Sequence, residues 1–174
     1  MEAVARLEVD NPTMTHAVRE QADGFDGFFA ATHAQVFRAV LLVTRDQAAA
    51  EDAVANAYLK ALERWAVVSA HPNPVAWLTR VALNDSISAW RRLRLQVPLL
   101  SASDLPASGF GPRADLVRAV AALPLRQRQV VALRILVGLD TRETGEVLAI
   151  SPGTVTAHLH RALDTLRDRL RTSE

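Results

Sequence analysis

The chain has 174 residues, 49% hydrophobic and 22% charged, which is enough apolar content for one folded domain or two small ones and excludes a chain disordered throughout. It contains no cysteine, which excludes disulfides, thiolate chemistry and cysteine zinc sites. The formal net charge of +1 excludes a strongly basic or acidic protein, yet residues 113–174 carry ten Arg against seven acids, residues 23–93 balance at seven and seven, and residues 1–22 carry two Arg against four acids.

Residues 1–22 lack a periodic apolar face, include Asn11-Pro12, and are expected to form a flexible tail, with Met14 as an alternative start. No charged-then-apolar signal segment opens the chain, and no uninterrupted apolar run approaches the roughly 18–20 residues that span a bilayer. The expectation is a cytoplasmic protein without membrane insertion. Phe25, Phe28, Phe29, Val36, Val40 and Val43 mark a first helix over roughly 24–44. Asp46 can cap a second, with Ala50, Val54, Ala57, Tyr58, Ala61 and Trp65 as its buried stripe and Glu51, Asp52, Asn56, Lys60 and Glu63 outside. After a Ser-Ala-His-Pro loop, Asn73-Pro74 is a cap followed by proline at the first helical position, and Val75, Leu78, Val81, Ala82, Asp85 and Ala89 continue a third helix to about Arg92.

Residues 95–112 hold three prolines, two glycines and three serines with only Asp104 charged, a composition that reads as an extended, flexible linker. Four helices are expected beyond it, at about 113–122, 125–137, 141–148 and 152–170. The predicted fold class is all-α: a three-helix domain over 23–94 and a four-helix domain over 113–174, joined by the linker.

The last two helices carry the strongest signal. Asp140 with Glu143 three positions on has capping-box spacing, and Ser151-Pro152 caps a helix whose Val155, Leu159, Ala162, Leu163, Leu166 and Leu170 form one stripe. Gly153, Thr156, Ala157, His160 and Arg161 then fall on the free face. Small and hydrogen-bonding residues near the start of a helix with a packed back are what a helix-turn-helix needs to enter the major groove. An ordinary amphipathic hairpin has the same pattern. The five histidines, His16, His33, His71, His158 and His160, do not cluster, so no metal is expected. No nucleophile–base pair, carboxylate dyad or phosphate loop is visible, so neither a catalytic residue nor a cofactor is expected and the chain is not read as an enzyme.

Several short fragments together resemble a known family over about residues 24–172: Ala50-Glu51-Asp52 with Tyr58 and Trp65, Pro74-Val75-Ala76-Trp77-Leu78 leading to Ala82-Leu83-Asn84, Arg91-Arg92, Leu123-Pro124 with Arg128, and Gly153-Thr154-Val155 with Arg161-Ala162-Leu163. In order and spacing they resemble a bacterial RNA polymerase sigma factor of the extracytoplasmic-function (ECF) group of the sigma-70 family. The resemblance implies region 2 over 23–94 and region 4 over 113–174, with core RNA polymerase and promoter DNA as partners, an anti-sigma factor as a further candidate partner, and a monomer when free. It assigns Glu51, Asp52, Asn56 and Lys60 to polymerase docking, and Asn73, Arg80, Asn84, Arg91 and Arg92 to the −10 element and strand opening. Arg142, Thr154, Thr156, Ala157, His160 and Arg161 are assigned to the −35 element. Trp77 is read as packing the core, and Asn84 also fits a buried hydrogen-bonding role.

The chain departs from the family pattern at Asp52-Ala53-Val54-Ala55-Asn56, where Asp-Leu-Val-Gln-Glu is usual, and at Glu143-Thr144-Gly145, where Glu-Ile-Ala is usual. Ala149 replaces the turn glycine, and Thr156 and His158 stand where Lys and Arg are common. Two other readings are a helix-turn-helix regulator acting without polymerase docking, and a protein-binding adaptor with a vestigial DNA motif.

Overall fold

Proline costs nothing at the first position of a helix, and Pro12 opens α1 (Pro12–Thr44). The computed structural model describes the backbone of residues 12–94 and 114–171, with side chains over 24–86 and 116–169. The first helix thus begins ahead of its expected start near 24, and residues 12–22 of the expected tail are helical. The segment Gly24–Thr44, with mean hydropathy 1.3, has by length and composition alone what is needed to cross a bilayer, a test that the core helix of a folded bundle also passes. Asp26 and Arg38 interrupt the run without erasing its average. In the fold this segment is the central helix. Val36, Val40 and Leu41 are at most 1% exposed, and α1 touches helices from both the 23–94 and the 113–174 halves of the chain.

At the corner after α1, Arg45 takes a left-handed φ of 60° and Asp46 accepts the Ala49 N–H at 3.0 Å, starting α2 (Gln47–Glu63). Ala50, Ala53, Val54, Ala57, Tyr58 and Ala61 are buried, so the small residues let α2 lie close on α1 and on the helix that Pro74 begins. Tyr58 shares a 2.7 Å hydrogen bond with the Thr32 hydroxyl; burial pushes its phenol above the ordinary range and that bond offsets part of the rise. Trp65, expected on the buried stripe of the second helix, instead packs half-buried with Phe25 and Phe28 and begins a separate short helix, α3 (Trp65–Ser69), that runs to the first residue of the expected Ser-Ala-His-Pro loop. As expected, Asn73 caps α4 (Pro74–Arg94): its Oδ1 accepts the Ala76 N–H at 3.0 Å. Leu78, Thr79 and Ala82 are fully buried and Trp77 packs half-buried against the core.

The second bundle contains α5 (Ala114–Ala121), α6 (Leu125–Val131), α7 (Thr141–Leu148) and α8 (Pro152–Arg171). The helix expected over 125–137 changes character at Ala132 and finishes as a π-helical turn, Ala132–Val137, which Gly138 ends at φ 79°. The expected linker, 95–112, lies outside the described residues. No strand occurs among the described residues. The two bundles touch: α1 packs on α5, α6 and the π-turn, and α4 packs on α7.

Arg128 holds that seam. It is 7% exposed, and its guanidinium donates to Ala121 O and Leu123 O at 2.9 Å each and to Val43 O at 3.1 Å. These are carbonyls at and just beyond the C-terminal ends of α5 and α1, the groups a helix cannot satisfy internally and the negative pole of its dipole. Burial, and then the nearby Arg45 charge, push the guanidinium down to about 10, still cationic at neutral pH.

Candidate nucleic-acid interface and docking face

The turn between α7 and α8 is built from both ends by side chains. Asp140 Oδ1 accepts the Glu143 N–H at 2.7 Å while Glu143 Oε2 accepts the Asp140 N–H at 2.8 Å, so the expected capping box forms in full. Ser151 Oγ accepts the Thr154 N–H at 3.2 Å and starts α8. Between them Ala149 sits at φ 53°, ψ 48°, and its N–H returns to Gly145 O. Gly145 is not a weak point of α7. A Cβ there would lie 2.7 Å from Ile150 O, so glycine is what lets the turn fold back so tightly. Ala149, in contrast, carries a Cβ where none is wanted. Left-handed geometry costs an L-residue about 1–2 kcal/mol, and the extra freedom of an unfolded glycine returns about 0.4–1. Ala149→Gly should therefore stabilise the chain by about 0.5–1 kcal/mol, read as a melting point higher by about 1–4 °C.

Val155, Ala162 and Leu166 are buried in α8, whereas Gly153, Thr156, His160 and Arg161 are exposed on its opposite side and Ala157 is half-buried. The predicted free face is therefore present. The Thr156 hydroxyl donates to Pro152 O at 3.1 Å, which leaves its lone pairs free to accept. Thr154 Oγ1 shares a 2.8 Å hydrogen bond with Ser151, half-buried beside the helix start. Arg142 is exposed on α7 and paired with Glu146 at 3.1 Å. His158 is half-buried, and its buried Nδ1 has no hydrogen-bond partner among the described residues.

Glu51, Asp52 and Asn56 are exposed on α2. Lys60 is exposed too, but it reaches across to Asp85 on α4 at 2.6 Å rather than standing free beside them. Sequence reasoning missed Leu59 and Leu62, which are 58% and 50% exposed and continue the Asp52, Ala55, Asn56 face by steps of three and four. Their absence from the buried stripe was the available signal. Beside this face Phe29, His33, Phe37, Glu51, Val54, Ala55 and Tyr58 line a groove of about 380 Å³ between α1 and α2.

On α4, Arg80 and Asn84 are exposed and one turn apart, which removes the buried role for Asn84. Asn73 is half-buried, and its Nδ2 donates to Glu143 Oε1 in the other bundle at 2.7 Å. The side chains of Arg91 and Arg92 lie outside the described residues. No group of three or more metal-ligating side chains occurs among the described residues.

An all-helical protein with a capped helix-turn-helix and a separate bundle bearing an apolar, acidic helix face is the class defined so far. Residues 28–96 match sigma-70 region 2, and residues 113–166 match sigma-70 region 4. The chain is similar to the RNA polymerase sigma-E factor of Streptomyces antibioticus, 34% identical over 74% of each chain, and to that of Streptomyces coelicolor, 30% identical over 84% of this chain and 85% of the relative. Its fold is similar to that of the sigma factor RpoE of Bartonella quintana, solved with the anti-sigma factor NepR, at TM-score 0.74 and 20% identity, covering 87% of this chain and 99% of that one. CnrH, solved with the cytosolic domain of CnrY, gives TM-score 0.62 and 20% identity over 90% of this chain and 96% of its own. The chain belongs to the sigma-70 family, in its ECF group. It binds core RNA polymerase and directs promoter-specific transcription initiation.

Proposed function

We propose that residues 113–174 read the upstream (−35) promoter element through α8, while residues 23–94 dock on core polymerase through the exposed face of α2 and meet the −10 element through α4 and its cap. The observation that carries the upstream assignment is the orientation of α8, buried along Val155, Ala162 and Leu166 and bare along Gly153, Thr156, His160 and Arg161. In the docking face, Asp52 and Asn56 supply polar contacts and Leu59 and Leu62 the apolar area. Arg80 and Asn84 suit a phosphate and a base respectively. Glu51 belongs at the rim of the docking face, and Lys60 acts by bracing α2 on α4. The chain performs no reaction of its own and works in the cytoplasm beside the polymerase. An anti-sigma protein is a third partner, a proposal supported by the fold shared with sigma factors solved in such complexes.

Thr156 and His160 stand where a groove-bound helix meets base edges, and Arg161, more than two turns in, is placed for a phosphate. Losing a base contact costs about 1–3 kcal/mol at one position, while losing a phosphate contact weakens all sites alike. Transcription by core polymerase from templates randomised in the upstream element tests this. Thr156→Ala should relax preference at one base pair, and Arg161→Ala should depress all promoters alike without changing preference, with a salt slope lower by about one unit. If neither variant moves strength or preference, α8 is not the reading helix.

A further inference from the structure

Phe29, His33 and Phe37 stand four apart along α1, a spacing that puts successive side chains on one helix face. The rings of Phe29 and His33 have centroids 4.8 Å apart, and those of His33 and Phe37 lie nearly parallel at 6.2 Å. Tyr58 on α2 closes the array, 4.7 Å from Phe29 and 5.8 Å from His33. Packing does not exhaust these rings. Phe29 is 40% exposed, and His33 and Phe37 are half-buried. All four line the groove between α1 and α2, together with Val54, Ala55 and the exposed Glu51. Its volume of about 380 Å³ lies at the small end of the roughly 300–1,000 Å³ that small-molecule sites occupy.

The polar groups of the lining select the charge of an occupant. The Thr32 hydroxyl donates to Phe28 O at 2.6 Å, so Tyr58 is the donor in the 2.7 Å bond it shares with Thr32 and its O–H is spent there. Tyr58 therefore offers its ring. Glu51 accepts the neutral Gln47 amide on Oε1 at 2.8 Å, which leaves its charge uncompensated. Among the described residues Glu51 has no ion pair, Oε2 has no partner, and no Lys or Arg lines the groove. Asp52 adds a second negative charge next in sequence. Aromatic faces are the negative side of a ring's quadrupole, so rings and carboxylate attract a cation together. An anion is repelled by both, and a sugar or nucleotide finds only His33 as a side-chain donor.

We infer that this groove is a binding site for a small arylalkyl ammonium cation, held with its charge at Glu51 and its apolar body among Phe29, Phe37 and Tyr58. A cation over aromatic faces is favoured over a neutral counterpart by about 2- to 30-fold, depending on how far it is desolvated. Glu51 and Ala55 also belong to the face of α2 proposed to dock on polymerase, so a bound cation stands where polymerase approaches and makes docking ligand-dependent. That consequence rests on the docking reading; the binding does not.

Tyr58 is the chain's single tyrosine, so its ring protons report on the groove without overlap in NMR spectra. The full chain is titrated with benzyltrimethylammonium, and with benzyl alcohol and benzoate as neutral and anionic counterparts. The cation should shift the Tyr58 ring signals saturably and show Overhauser contacts from its methyl protons to that ring. It should bind about 2- to 30-fold tighter than benzyl alcohol, with benzoate weakest. Glu51→Gln should weaken the cation by about 2- to 5-fold, the effect of losing an exposed ion pair, and leave the alcohol unchanged. Phe29→Leu, at a partly exposed position, keeps apolar bulk and should weaken the cation more than the alcohol. Equal affinity for cation and alcohol, or no saturable shift at Tyr58, overturns the inference. So does a groove that ignores the cation while Glu51→Gln and Phe29→Leu weaken polymerase binding, since its occupant is then a polymerase side chain. Competition for core polymerase in saturating benzyltrimethylammonium tests the consequence separately. Weaker docking supports it, and unchanged docking with the Tyr58 contacts intact keeps the ligand site and moves the docking face off Glu51 and Ala55.

Discussion

Arg128→Ala is expected to lower the stability of the full chain by about 2–4 kcal/mol, read as a melting point lower by roughly 5–15 °C. The guanidinium reaches carbonyls at the ends of two helices from one buried position, and alanine leaves Val43 O, Ala121 O and Leu123 O without that donor. Hydrogen bonds to a charged group contribute about 1.5–3 kcal/mol each, but water entering the gap offsets part of the sum. Arg128→Lys separates charge from shape. An ammonium is a point donor and cannot span the two helix ends as a planar fork does, so lysine should recover less than half of the loss. Thermal unfolding followed by circular dichroism measures both variants, and a melting point for Arg128→Ala within 2 °C of the parent, against the expected roughly 5–15 °C, removes the capping role.

Gly145→Ala is the second large effect. The added methyl would lie 2.7 Å from the backbone oxygen of Ile150, a main-chain atom of the turn rather than the movable end of a side chain. Overpacking of this kind costs about 1–3 kcal/mol, here concentrated at the turn that sets α7 against α8. Transcription that depends on the upstream element should fall with it. Gly153→Ala is the contrast: the nearest atom to its Cβ is the Ser151 hydroxyl at 4.0 Å, so helix propensity gains up to about 1 kcal/mol. Equal melting points for the two alanine variants contradict the account of the turn.

What could be read from the sequence was local. The capping pair Asp140 and Glu143 and the Asn73 cap follow from residues within a turn or two of each other and appear as expected. Of the expected α8 stripe Val155, Ala162 and Leu166 are buried, Leu159 and Leu163 are half-buried, and the side chain of Leu170 lies outside the described residues. Partners far apart in sequence could not be read. Asn73 and Glu143 are 70 residues apart, Arg128 and Val43 are 85 apart, and nothing in either neighbourhood names the other. Gly145 stood out only as a departure from the usual Ala, because its reason is a carbonyl beyond the turn. The π-helical ending of α6 was hidden for the same cause, since its apolar residues fit an α-helix equally well. Lys60 looked like part of the docking face until Asp85 on another helix drew it away. Leu59 and Leu62 carry no charge and lie off the buried stripe of α2, so neither the charge pattern nor the apolar periodicity alone marks them.

The division of labour between α2 and α8 is tested most directly by one paired measurement on full chains: competition for core polymerase against the parent chain, and promoter preference in transcription from randomised upstream elements. Asp52→Ala combined with Leu59→Ser should weaken polymerase binding while the transcripts that remain keep the parent preference. Thr156→Ala should bind polymerase as the parent does and shift preference at one base pair. A docking variant that changes preference, or a Thr156 variant that loses polymerase binding and keeps preference, contradicts the account.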